Sequence, residues 1–366
     1  MVAAYWSLYR IARNHPGLVK NHGWDWYLNQ AYETTKFLTN TDANGDWRVG
    51  YVDAGLMEGD IFLELLTDLK REGWTAKATE IESRMKKRAD HWRSLAFPFG
   101  SEMAWDSTGQ EEVFAWCNYF GYDDKALVSL DSILGYMPTL PHWGYNGNAR
   151  RYWDFLYGGK LSRIERQLHH YGSGINSLPV LSYYREHPED TYLLRVGYGG
   201  AMGALSNIDQ EGFASAAFHS FPSTLKWDAY SGDYGPNFFG HALASATYLV
   251  DDPRFGWQAF GGNVTVSKRW VSVEPKDSFR ERVFVAPVGL WLTLDAGRFQ
   301  RVSLNFKTHE VRIELCPADA FTPNARLRIE SPGSKLAKAQ LQGHHVFERD
   351  GFTVPLGPGA TLLSIK

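Results

Sequence analysis

The chain has little of what would mark several large functional classes. Its two cysteines, Cys117 and Cys316, are far apart in 366 residues. Neither stands in a CxxC or Cys/His spacing, so no disulfide framework or zinc site is indicated. No run of about 18 apolar residues occurs, as a membrane-crossing helix would need. The opening segment breaks its apolar stretch with Arg10, Arg13 and Pro16, unlike the core of a signal peptide, so the chain reads as soluble. There is no excess of basic charge: 38 Lys and Arg face 41 Asp and Glu, for a formal net charge of −3. Nucleic acid and anionic membranes are therefore not expected partners, because both normally require a cationic stripe. P-loop, dinucleotide, GxSxG and HExxH motifs are all missing, which argues against nucleotide, hydride and serine-esterase chemistry.

What is plentiful is aromatic surface. Phe, Trp and Tyr make up 15% of the chain, and eleven of its 14 Trp precede residue 250. In that region apolar residues recur at three- and four-residue steps, as in Ala78, Ile81, Met85, Ala89 and Trp92, which is the pattern of an amphipathic helix. Similar stretches predict helices at about 2–14, 24–40, 54–71, 110–121, 123–136, 150–170, 174–187, 190–205 and 237–250, with Gly, Pro and Asn between them. No fixed-period repeat marks a solenoid. After Pro253, alternation such as Val311, Ile313 and Leu315 predicts half-buried strands joined by Gly- and Pro-containing turns. The expected architecture is mainly α with an all-β second domain: an (α/α)6 toroid over residues 1–255, then a small antiparallel β-sandwich over 256–366.

Four polar, aromatic loops carry the candidate chemistry. In the first, Trp105, Asp106, Glu111 and Glu112 surround a loop-to-helix junction. Glycosidic cleavage needs one protonated carboxyl and a second carboxylate as base or nucleophile. Adjacent helical residues point about 100 degrees apart, so one of Glu111 and Glu112 is expected to face a cleft. Both also suit the positive start of their own helix. The second loop holds His142, Trp143, Tyr145, Asn146, Arg150 and Trp153; rings flanked by amides and cations match the apolar faces and radial hydroxyls of a sugar. The third holds His170 and Tyr171, a base and acid suited to β-elimination on a uronic acid. The fourth holds Trp227, Asp228, Tyr230 and Asp233, where Asp228 is the preferred partner for the Glu pair and Asp106 and Asp233 are alternatives. Asp42 to Asp46 imitates a calcium loop, but Trp47 stands where its turn glycine belongs, so no metal and no cofactor is expected.

The stretches TGQEEVFAW, HWGYNGNARRYWDF, HHYGSGINSLP and KWDAYSGDYG resemble a bacterial family related to the six-hairpin (α/α)6 glycosidases. The resemblance implies a carbohydrate substrate and a toroid. It also implies that larger relatives carry an N-terminal β-sandwich, a domain not expected within residues 1–366. The leading expectation is a glycoside hydrolase acting through Glu111 or Glu112 with Asp228, by inversion. The alternatives are a polysaccharide lyase using His142 or His170 with Tyr145 or Tyr171, and a glycan-binding protein without catalysis.

Overall fold

The computed structural model describes residues 1–50, 52–57, 59–98, 109–136, 167–169, 173–203, 205, 208, 211–212, 217–219, 235–276, 279–332 and 340–366. Among these, the first part is helical: α1 (Val2–Asn14), α2 (Trp24–Leu38), α3 (Gly59–Arg71), α4 (Thr75–Ser94), α5 (Gln110–Tyr119), α6 (Asp123–Tyr136), α7 (Ser173–Glu186), α8 (Thr191–Gly203) and α9 (Gly235–Ala244). Several form where the 3.6-residue pattern stands. In α4, for instance, Ala78, Ile81, Met85, Ala89 and Trp92 are all buried, which is the stripe read from sequence. A short two-stranded antiparallel sheet pairs β1 (Gln167–His169) with β2 (Ala217–His219).

The remainder forms two large sheets. The strands are β3 (Thr247–Asp252), β4 (Gly256–Phe260), β5 (Gly262–Ser267), β6 (Trp270–Pro275), β7 (Arg282–Val285), β8 (Leu290–Ala296), β9 (Phe299–Asn305), β10 (Val311–Leu315), β11 (Asn324–Glu330), β12 (Leu341–Gln342), β13 (Val346–Glu348), β14 (Gly351–Pro355) and β15 (Thr361–Ile365). One sheet has the order β12-β15-β10-β9-β6-β5; the other has the order β13-β14-β11-β8-β7-β3-β4.

The expected fold class is corrected by these elements. Nine helices and thirteen strands in two large sheets, among the described residues, make a chain with substantial helix and substantial sheet. It is not a mainly α toroid with a small appendage, and no closed ring of six hairpins is seen among the described residues. The second sheet is also mixed, because β3 runs parallel to β7. The helix expected at 237–250 ends at Ala244, and Thr247 onward is strand. Residues 167–169 are strand rather than the end of a helix.

The physical reason is a three-layer packing. Successive residues of the seven-stranded sheet point to opposite faces. Tyr248, Val250, Phe284 and Trp291 join the core of the helices. Leu249, Val283, Val285, Leu290 and Leu292 join a second core shared with the six-stranded sheet. A sheet covered on both faces needs continuous apolar runs rather than alternation, and Tyr248 to Val250, Val283 to Val285 and Leu290 to Leu292 are such runs. Where the sheet meets the helices, its charged end faces α3. That helix carries Asp60, Glu64 and Asp68 at four-residue spacing, hence on one stripe, beside a buried apolar face of Ile61, Phe62, Leu65, Leu66 and Leu69.

The stripe and the sheet meet through arginines. Arg280 Nη2 donates to Glu64 Oε1 at 3.1 Å, and Arg328 bridges Glu64, at 3.8 Å, and Asp295, at 2.9 Å. Burial alone would push the Glu64 carboxyl up, but Arg280, Arg328, Arg10 and Arg282 hold it at about 2. Asp68, one turn on, accepts a bond from Trp6 Nε1 at 2.9 Å. Burial, with the charges of Asp295 and Glu64, raises its carboxyl to about 6. No described helix is long and apolar enough to cross a membrane.

Candidate active site

The described part of the candidate site is the place where the starts of α3 and α5 touch. Glycine makes that contact possible. A Cβ on Gly59 would lie 2.7 Å from the Glu112 Cα and 2.9 Å from the Ala115 Cβ. Gly55 has a positive φ of 99 degrees, and a Cβ there would meet the Gly109 carbonyl at 2.1 Å. Any larger residue at either position would push α5 away from α3.

Glu111 and Glu112 are both buried, at 1% and 0% exposure, and they do different work. Glu112 Oε2 accepts from Arg88 Nη2 at 2.8 Å, and the second guanidinium nitrogen pairs with Oε1. Arg88 also donates to the Val52 carbonyl from Nε, at 3.2 Å, and from Nη2, at 2.8 Å. This bidentate pair ties α4, α5 and the 52–57 loop together. Glu111 reaches across to the neighbouring helix instead: its two oxygens accept from the backbone N–H of Gly59 and of Asp60, each at 3.0 Å. Thus Glu111 satisfies two of the unpaired donors at the start of α3. From the sequence alone Glu111 suits the positive start of its own helix, α5; in the structure it serves the start of α3.

Electrostatics set Glu111 apart. Burial, together with the nearby charges of Asp60 and Glu112, pushes its carboxyl well above the usual carboxylate range, against the pull of the two backbone donors. Asp60, partly exposed, is raised as well, by desolvation and by Glu64, while Arg185, Arg282 and Arg280 draw it down. Two carboxyls with raised affinity for protons therefore stand side by side. Arg185 and Arg282 flank Trp291, with guanidinium carbons 4.7 and 5.3 Å from its ring. Next to Glu111, the buried Gln110 Oε1 has no hydrogen-bond partner among the described residues.

Other helices extend the same row. α5 packs on α7, and α7 packs on α9; a Cβ on Gly240 of α9 would sit 2.1 Å from the Gly174 carbonyl carbon of α7. In sequence, the first, third and fourth of the aromatic loops noted above lead directly into α5, α7 and α9. Asp106, His142, Trp143, Tyr145, Asn146, Arg150, Trp153, His170, Tyr171, Trp227, Asp228, Tyr230 and Asp233 lie outside the described residues. The Asp42–Asp46 segment is an Asx turn, in which Asp42 Oδ1 accepts from the N–H of Asn44 and Asp46 at 2.8 and 3.0 Å.

Sequence reasoning missed Arg88, and it missed the arginines that face Asp60. The four-residue spacing of acids on α3 was a visible signal; the arginines, more than a hundred residues further along the chain, gave none.

No curated protein matches the chain. Among solved structures, a polysaccharide lyase is similar at 18% identity with a TM-score of 0.48, over 67% of this chain and 35% of that one. The chain thus spans 35% of that protein's length. The model of DUF5695, a family of unknown function, matches residues 1–362, and the chain belongs to that family.

Proposed function

We propose that the protein is a glycan-processing enzyme, a glycoside hydrolase in which Glu111 is the general acid. The observation that carries this reading is the Glu111–Asp60 pair. A buried carboxyl whose proton affinity is raised by burial and by a neighbouring acid is what leaving-group protonation calls for. Burial, and after it the charge of Asp60, raises the Glu111 proton affinity, and Glu112 with Arg88 is the strut that fixes α5. The second carboxylate is Asp228, with Asp106 and Asp233 as the other candidates. The aromatic residues Trp143, Tyr145, Trp153, Trp227 and Tyr230 are the sugar platforms, with His142, Asn146, Arg150, His170 and Tyr171 as polar partners. Residues 1–255 carry the chemistry and residues 256–366 support it.

The test is to incubate the purified chain with neutral and uronic-acid polysaccharides and follow reducing ends and ultraviolet-absorbing unsaturated ends together. Reducing ends without unsaturation, abolished by Glu111→Gln, support the hydrolase. Unsaturated products overturn it in favour of elimination by His170 and Tyr171 or by His142 and Tyr145.

A further inference from the structure

The segment that leads into α3 is held in shape from outside. Met57 has a φ of 60 degrees and Gly55 one of 99 degrees. Both lie in the left-handed region, which a residue such as Met57 enters only where its surroundings impose it. Buried side chains from two helices do so here. From α4, Trp92 Nε1 donates to the Asp53 carbonyl at 2.6 Å, and Arg88 donates twice to the Val52 carbonyl. From α5, Glu112 Oε2 accepts from the Leu56 N–H at 2.5 Å. Trp92 is fully buried, and the Arg88 guanidinium carbon lies 4.8 Å from the centre of its ring.

The consequence falls on Glu111. Its two oxygens accept from the N–H groups of Gly59 and Asp60, which stand just beyond this segment in the chain. A donor favours the ionised form of a carboxyl according to how well it is aimed, so the seat of the segment decides how strongly these donors oppose burial. The charged groups that face Glu111 are Asp60 of α3 and Glu112 of its own helix. Arg88 of α4 binds Glu112, and Arg185 of α7, with Arg280 and Arg282, acts on Asp60. Trp92 carries no charge, so its influence on Glu111 runs through the position of the donors.

We propose that Trp92 is a positioning residue for Glu111: its bond to the Asp53 carbonyl, beside the ties from Arg88 and Glu112, seats the segment that aims the Gly59 and Asp60 N–H groups at the Glu111 carboxyl. The catalytic meaning of that role rests on the proposed function of Glu111; its test does not.

The test is the infrared band of Glu111, taken as the difference between a protein with Glu111 and the same protein with Glu111→Gln, in the wild-type and in the Trp92→Phe background. Phenylalanine keeps an aromatic ring and loses the N–H donor. The band is expected to shift between the two backgrounds, to higher wavenumber for a protonated carboxyl, because a carbonyl that loses a donor stiffens. The pH at which the carboxyl ionises should rise, because donors that favour the ionised form are misaimed. Trp6→Phe deletes a comparable indole bond, from Nε1 to Asp68 at 2.9 Å, and should leave the band in place. An unshifted band in Trp92→Phe, or an equal shift in Trp6→Phe, overturns the proposal. A wild-type band of an ionised carboxylate overturns the acid reading of Glu111 by itself, and the shift between backgrounds still decides the role of Trp92. Amide hydrogen exchange of the unsubstituted protein gives a second measurement that does not depend on the folding of Trp92→Phe. The Leu56, Gly59 and Asp60 amides should share one opening free energy, and Gly59 and Asp60 amides that exchange well ahead of Leu56 overturn the proposal.

Discussion

Arg88 of α4 and Glu112 of α5 form a bidentate ion pair in which neither side chain retains any exposure. Removing one partner leaves an uncompensated buried charge, whereas removing both leaves none. Glu112→Ala is therefore expected to cost about 3–5 kcal/mol. The double variant Arg88→Met with Glu112→Leu should cost less than either single change. Urea unfolding midpoints at pH 7 check this, and equal losses in the single and double variants would contradict it.

Asp60 raises Glu111 by its charge. An enzyme that needs a protonated acid loses activity as pH rises through that group's pKa. Asp60→Asn removes the neighbouring charge, so the basic limb of kcat/KM should move to lower pH. The measurement is a pH–rate profile on whichever glycan is cleaved, with wild type and variant side by side; an unmoved limb would sink the coupling.

Asp68 titrates in the opposite sense from a normal salt-bridged acid. Its folded carboxyl is raised from 3.8 to about 6, so the folded state holds more protons than the unfolded state between those values. Stability from this group is present below pH 4 and is lost as pH rises to about 6. The full loss is on the order of 3 kcal/mol. Asp68→Asn, which keeps an acceptor for Trp6, should escape it. The stability difference between variant and wild type should therefore grow in the variant's favour from pH 4 to pH 6.5, as read by chemical denaturation.

Gly240 lies against the backbone of Gly174 and Ile175, 2.1 Å and 2.2 Å from where a Cβ would sit. Neither contact is a flexible side chain. Gly240→Ala should therefore destabilise by about 1–3 kcal/mol or more, although alanine is the better helix former. Unchanged thermal stability would show that α7 and α9 are less tightly packed than described.

The most legible helices were those buried on one side: α1 and α6 follow their periodic stretches to the residue, and α4 does so within a few residues at each end, because one stripe meets the core and the other meets water. α5 and α7 are buried along most of their length and were found instead from the turn residues that precede them. The sheet was under-read for the opposite reason. Tyr248 to Val250 and Leu290 to Leu292 are buried on both faces, so their periodicity vanishes, and the first of them passed for the end of a helix. At the site, Glu111 and Glu112 were visible as a pair, but their division of labour was not. It depends on Gly59 and Arg88, which are brought to them only by tertiary packing. The α3 stripe was written in its spacing, yet its meaning required Arg280, 216 residues from Glu64.

The central claim is that Glu111 holds a proton where an ordinary glutamate would not. The most direct measurement is the infrared difference spectrum between wild type and Glu111→Gln at neutral pH. The account predicts that the variant loses a protonated carboxylic acid carbonyl band. Loss of an ionised carboxylate band instead would show that the Gly59 and Asp60 N–H donors outweigh burial, and would leave Glu111 as a cap for α3 rather than an acid.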